Sequence, residues 1–138
     1  MIKKVVKYED FNGMERTEEL YFNFTKTELH NLNFAHYGTY AEQLQGIIDS
    51  KDIRVVTELF NEIIVRAYGK LSEDGRNFYK NKEIVDNFTS SAAYDVLMQE
   101  LLSDEKAAAE LFVGALPRDL QGQIKAEMAK KEGGANNG

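Results

Sequence analysis

The sequence has no cysteine, no tryptophan and a single proline among its 138 residues. Without cysteine, the chain has no disulfide framework, no thiol chemistry and no thiolate metal cluster. It also lacks the run of about 18 apolar residues that a membrane-spanning helix needs, and its first residues contain no apolar run of signal-peptide length. We therefore expect a protein of the reducing cytoplasm that remains where it is made.

Acidic residues outnumber basic ones, 23 to 17, which gives a net charge of -6. Such a chain repels phosphate backbones and anionic membrane surfaces, so we expect neither nucleic acid nor membrane as a partner. Hydrophobic residues make up 43% of the chain, as in ordinary globular domains. A chain of this length buries roughly two-thirds of its surface, which is enough for a core without a metal or a disulfide.

The first part of the chain has the pattern of a β-hairpin. Residues 2–8 are rich in β-branched side chains, and residues 18–24 alternate, with Leu20, Phe22 and Phe24 on one face. A period of two is typical of a strand with one buried face. Asn12-Gly13 between the segments favours a tight turn, so we predict a hairpin over residues 2–25. Two strands alone are marginally stable, so one face must pack on helices.

From Thr25 onward the apolar period becomes that of helices. We predict an α+β fold, mostly α, in which the hairpin is followed by a bundle of five or six helices with 52–68 at its centre. Gly38 and Gly69 are predicted to end helices, and 69–80 to form a polar loop. Thr25 with Glu28, and Thr39 with Glu42, fit capping boxes. The expected helices are 26–35, 40–50, 52–68, 81–89, 91–102 and 105–115.

We predict one globular domain over residues 1–117 and a C-terminal helical or flexible tail over residues 118–138. The apolar stripe of the tail, formed by Leu120, Ile124 and Met128, is thin, and the sequence ends in glycine and asparagine. We therefore expect truncation at Arg118 to leave stability nearly unchanged.

No set of residues has the spacing of a catalytic or metal site. His30 and His36 are six residues apart, whereas two ligands on one helical face are three or four apart. No nucleophile elbow, phosphate-binding loop or zinc motif occurs. The acidic loop 72–76 does not fit the calcium-binding pattern. We predict no enzymatic activity, no metal and no cofactor.

The apolar stripes at 93–102 and 108–116 have two interpretations. They form the core of the domain, or part of them receives an apolar helix of a partner, the helix-in-groove mode of recognition. Methionine and small residues adapt to varied partner sequences, which favours the second interpretation for some positions. The candidate partner-binding residues are Tyr94, Leu97, Met98, Leu101 and Phe112. Periodicity alone leaves both interpretations open.

Several segments occur in one order along residues 8–117. They are Phe11-Asn12-Gly13 through Leu20 to Leu29, Ile48-Asp49-Ser50-Lys51-Asp52, Ala67 to Phe78, Phe88 to Tyr94, and the alanine-rich helix that ends at Leu116-Pro117. The ordered set resembles a group of tail assembly chaperones from long-tailed, siphovirus-type bacteriophages. The residues past Pro117 contribute nothing to the resemblance.

The resemblance implies that the chain binds the tape measure protein, a long helical apolar chain that sets tail length. It implies that the protein keeps this partner soluble in the host cytoplasm during tail assembly and is absent from the mature virion. Self-association stays open, and so does a longer form made by ribosomal frameshifting, which many members of the group have. The alternatives are a structural tail or head-tail component retained in the virion, and a small regulatory protein that binds one host factor.

Overall fold

The computed structural model describes residues 1–34 and 38–126. A seventh helix, α7, covers residues 118–126 of this part. In the described part, no helix has the length and apolar character needed to cross a membrane. The other elements are β1 (Ile2–Glu9), β2 (Glu15–Phe22), α1 (Lys26–Asn31), α2 (Tyr40–Asp49), α3 (Ile53–Ala67), β3 (Tyr68–Leu71), β4 (Phe78–Tyr79), α4 (Lys82–Thr89), α5 (Ala92–Ser103) and α6 (Glu105–Gly114).

The predicted hairpin is confirmed as β1 and β2, which pair antiparallel from Ile2 opposite Phe22 to Glu9 opposite Glu15. Gly13 has φ of 80°, the positive value that the turn requires. Leu20, Phe22 and Phe24 are all buried, as the alternation predicts. The predicted fold class, α+β and mostly α, is confirmed as well.

The prediction of a polar loop over 69–80 is right for 72–77, which form a turn, and wrong at both ends. Strands β3 and β4 form a second, short hairpin there, which extends the sheet to four antiparallel strands in the order β1-β2-β3-β4. Gly69 does not end α3 in a left-handed conformation; it pairs with Tyr21 of β2. The packing of β4 against this position requires a residue without a side chain, because a Cβ on Gly69 would lie 2.6 Å from a ring carbon of Phe78.

The helix starts follow the predicted capping residues. Thr25 and Thr39 both form complete capping boxes, with Glu28 and Glu42. Helix α1 nevertheless ends at Asn31, earlier than predicted. Gly38 therefore does not end this helix: it forms an isolated β-bridge with Phe34 just before the cap of α2, with φ of 86°.

Helix α3 lies in the core, as predicted, with Leu59, Ile63, Ile64 and Ala67 fully buried. Helices α3 to α6 pack on the sheet: α5 and α6 contact β1, α3 contacts β2, and α4 contacts β3. An aromatic stack between Tyr68 and Phe88, with ring centroids 4.0 Å apart, joins β3 to α4. Sheet and helices therefore share one hydrophobic core.

Several side chains of helix α7 contact the rest of the domain. Asp119 forms an ion pair with Lys26 of α1 at 2.5 Å. Ile124 is partly buried against the core. The amide of Gln121 donates to the carbonyl oxygen of Leu116 at 2.9 Å and to that of Gly114, the last residue of α6, at 3.5 Å. The division at residue 117, and the tolerance to truncation there, stay predictions; Met128 of the predicted stripe lies outside the described residues.

Candidate functional site

An apolar groove lies between two pairs of consecutive helices, α2–α3 and α5–α6. Residues 50–52 connect the first pair, and Asp104 alone connects the second. The groove has a volume of about 590 Å³. Its lining comes from all four helices and from the connection between α2 and α3: Leu44, Ile47, Ile48, Ser50, Lys51, Ile53, Val56, Phe60, Leu101, Leu102, Glu105, Lys106, Ala108, Ala109, Phe112 and Val113.

The floor of the groove is fixed by aromatic packing and a buried hydrogen bond. Phe60 of α3 and Phe112 of α6 meet edge to face, with ring centroids 5.0 Å apart. The hydroxyl of Tyr40, at the start of α2, donates to the carbonyl oxygen of Phe112 at 2.6 Å. Burial raises the pKa of Tyr40, so its hydroxyl stays protonated and remains a donor. The two helix pairs are thus joined at the floor.

The rim of the groove leaves apolar side chains in water. Ile48 is 42% exposed and Ile53 59% exposed, one on each side of the connection between α2 and α3. The charged side chains that line the groove, Lys51, Glu105 and Lys106, lie among otherwise mostly apolar neighbours. A concave apolar surface with a partly polar border is typical of a site that binds another molecule.

Four of the five candidate partner-binding residues are buried in the core. Leu101 and Phe112, 1% and 3% exposed, also line the groove from within the core. Leu97 and Met98 are buried and do not line it. Tyr94 is partly buried: its ring packs edge to face on Phe88, and its hydroxyl donates to the side chain of Asn61. Leu97 and Met98 therefore lie where the first interpretation, that the stripes form the core, expects them. Partner binding by the C-terminal helices stays a prediction.

Half of the groove was missed by the sequence analysis. Ile47, Ile48, Ile53 and Val56 supply its other wall, from α2 and α3. One signal was available in the sequence. Ile53 directly follows the capping residue Asp52, and an isoleucine in the first turn lies at the helix end, where a core position is less expected.

The histidines form no ligand set in the described part of the chain. His30 is exposed on α1, and His36 lies outside the described residues. Across residues 1–34 and 38–126, no three side chains of histidine, aspartate or glutamate are grouped as metal ligands.

A second concavity, of about 610 Å³, contains a lysine held by the fold. The ammonium of Lys80 donates to the carbonyl oxygens of Asn23 and Arg66, at 2.6 and 2.7 Å, and to the carboxylate of Glu28 at 2.7 Å. Burial lowers the pKa of Lys80, while the ion pair with Glu28 opposes that shift. Each of the three N–H groups of the ammonium therefore has an acceptor. These hydrogen bonds connect the end of β4 to the segment after β2 and to the end of α3.

Comparison with known protein families identifies the chain. The family model described as phage tail assembly chaperone matches residues 1–137. The chain belongs to this family. The match also includes the residues past Pro117, which the segments named in the sequence analysis did not cover. No curated protein matches the chain. No solved structure matches it either.

Proposed function

We propose that this tail assembly chaperone binds the tape measure protein of a long-tailed phage and keeps it soluble while the tail assembles. The observation that carries the proposal is the apolar groove between α2–α3 and α5–α6. A helix is about 10–12 Å across with its side chains, so a groove between two helix pairs accepts the apolar stripe of a third helix.

The energetics favour this role. A long helix with an apolar stripe aggregates in water, and each square ångström of apolar surface that a chaperone covers contributes about 25 cal/mol. Exposed Ile48 and Ile53 offer such surface before the partner arrives. The net charge of -6 opposes association of the resulting complexes with one another. On this proposal the protein acts by binding, without catalysis or a cofactor, in the host cytoplasm.

The test is co-expression with the tape measure protein encoded by the same phage. We would change the groove rim by Ile48→Lys, in the last turn of α2, and Ile53→Glu, in the first turn of α3. Each new charge has the sign that its helix end favours, so both variants should fold. We expect the tape measure protein to become insoluble and to be lost from co-purification with either variant.

The matched control is Val5→Lys, which places a charge at an equally exposed apolar position, 49% exposed, far along the chain from the groove. The new lysine would stand opposite Glu19 in the hairpin, so the residue directly across the strand pair carries the opposite charge. This variant should retain the partner. Full solubility of the tape measure protein with both rim variants would contradict the proposal.

Mass spectrometry of purified virions separates this function from that of a structural tail or head-tail component. We expect no peptide of this chain in mature particles, because an assembly chaperone leaves when the tail tube forms around its partner. Stoichiometric retention in the virion would favour the structural alternative.

A further inference from the structure

The tip of the hairpin, defined here as residues 9–15, carries a second exposed apolar surface. Phe11 is 83% exposed and Met14 62% exposed. They stand beyond the part of the hairpin that packs on the helices, since residues 15–19 of β2 are all exposed. The tip therefore projects into solvent with an aromatic side chain at its end.

The conformation of the tip is fixed by Asp10. Its carboxylate accepts hydrogen bonds from the backbone N–H groups of Asn12 and Met14, both at 2.9 Å, and from the guanidinium of Arg16 at 2.5 Å. Two backbone hydrogen bonds, between Asp10 and Met14 and between Gly13 and Asp10, close the loop. The loop is therefore ordered by its polar groups and not by burial of Phe11. A rigid loop that presents an aromatic side chain loses little conformational entropy when it binds.

Charge indicates what the tip fits. Glu9 and Glu15 stand directly opposite each other at its base. Directly opposed like charges destabilise a strand pair unless a cation lies near them. Within residues 1–34 and 38–126, neither glutamate has an ion-pair partner. The groove has a mostly apolar lining with two lysines, Lys51 and Lys106, and one carboxylate, Glu105, so its charged side chains are net positive. Neither lysine has an ion-pair partner within residues 1–34 and 38–126.

We propose that the hairpin tip of one copy of this chain docks in the groove of a second copy. Phe11 then lies between the helix pairs of the second copy, and Glu9 and Glu15 face Lys51 and Lys106. The contact joins two different surfaces. In a pair, one chain uses its tip and the other its groove, so each chain keeps its unused surface for another copy.

The biological meaning of this contact rests on the proposed function. The tip covers the apolar groove until a helix of the tape measure protein displaces it. The contact itself does not rest on that function, and it is tested with the purified chain alone.

The test uses two variants that each lack one of the two surfaces. Phe11→Ser removes the aromatic side chain of the tip but keeps a residue suited to a turn. Ile53→Glu alters the groove and leaves the tip intact. In sedimentation velocity, we expect the average mass of the unaltered chain to rise with concentration and each variant alone to associate at least about tenfold more weakly, which corresponds to about 1.4 kcal/mol.

Mixing the two variants gives the decisive result. The Ile53→Glu chain still offers a tip and the Phe11→Ser chain still offers a groove, so an equimolar mixture should form one-to-one pairs and nothing larger. Val5→Lys is the control and should associate like the unaltered chain. Circular dichroism spectra would establish that all variants are folded.

A charge exchange provides a second measurement that does not depend on Phe11. Reversing the charge of the tip by Glu9→Lys and Glu15→Lys should weaken association. Adding Lys51→Glu and Lys106→Glu in the same chain reverses the charge of the groove and should restore association. A chain that stays monomeric at every concentration, or a mixture of complementary variants that stays monomeric, would overturn the proposal. Loss of tape measure binding by Ile53→Glu in a chain that never self-associates would leave the proposed function standing and remove this one.

Discussion

At Gly69, the atoms around a single position determine what a substitution does. An added methyl group would lie 2.6 Å from a ring carbon of Phe78 and 2.8 Å from the carbonyl oxygen of Tyr79. The ring can turn, but the oxygen belongs to the pairing of β3 with β4. We expect Gly69→Ala to lower the free energy of unfolding by about 1–3 kcal/mol, the usual effect of overpacking. Urea denaturation measures this loss. Gly122→Ala on α7, where no atom lies within 4 Å, should lose nothing.

The pair of Glu28 and Lys80 makes stability depend on pH. Burial alone would raise the pKa of Glu28, but hydrogen bonds from Lys80 and from the backbone N–H of Thr25 outweigh it and hold the pKa below its ordinary value. A carboxylate with a lowered folded-state pKa stabilises the fold above its unfolded-state pKa and loses that contribution as the pH falls through the folded-state value.

Glu28→Gln should therefore reduce the loss of stability as the pH falls below about 5. Glutamine can still serve in the capping box with Thr25, so the variant removes the charge and keeps the cap. Urea midpoints at a series of pH values would measure the change, with Glu73→Gln in an exposed loop as the control. Parallel pH profiles of the Glu28→Gln variant and the unaltered chain would mean that the pair with Lys80 contributes nothing.

At the scale of elements, helices with a capping residue were predicted well from the sequence. Helices α2 to α6 begin and end within one residue of the predicted ranges. Strands β3 and β4 were missed because they are only four and two residues long, and because β3 is held by pairing with the distant strand β2. Short segments whose partner is remote in sequence carry little local signal. Helix α1 was predicted too long. In the last turn of its predicted range, Phe34 is not helical and forms a β-bridge with Gly38.

Helix α3 spans the core and the groove rim, so two isoleucines on it should respond differently to truncation. Ile63 is fully buried, and Ile63→Ala should cost about 2–5 kcal/mol, as should Phe60→Ala. Ile53 is 59% exposed, and Ile53→Ala should change stability by no more than about 0.5 kcal/mol. Thermal or urea unfolding of the variants compares them directly. Equal losses for Ile53 and Ile63 would mean that the rim is packed as tightly as the core.

At the scale of the whole molecule, the groove lies between two helix pairs that are joined by the contact of Phe60 with Phe112 and by the hydrogen bond of Tyr40 to Phe112. Leu101 and Phe112, on the α5–α6 wall, were among the predicted partner-binding residues. The α2–α3 wall was not foreseen, because Ile48 and Val56 have the same helical spacing as core residues. An apolar helix face lines a groove only where no other helix or strand covers it. Whether it is covered depends on packing between segments about fifty residues apart in sequence.

The tape measure protein and the hairpin tip should compete for this one groove. Adding an apolar helical segment of the tape measure protein to the self-associated chain should dissociate it, because both ligands need the exposed rim at Ile48 and Ile53 and only one fits at a time. Sedimentation velocity with a labelled segment would show loss of the larger species as the segment binds. The Phe11→Ser variant, whose groove is not covered by a neighbouring tip, should bind the segment more tightly than the unaltered chain does, since no bound tip must first be displaced. If the segment binds while self-association persists unchanged, the two ligands use different surfaces, and the groove serves only one of them.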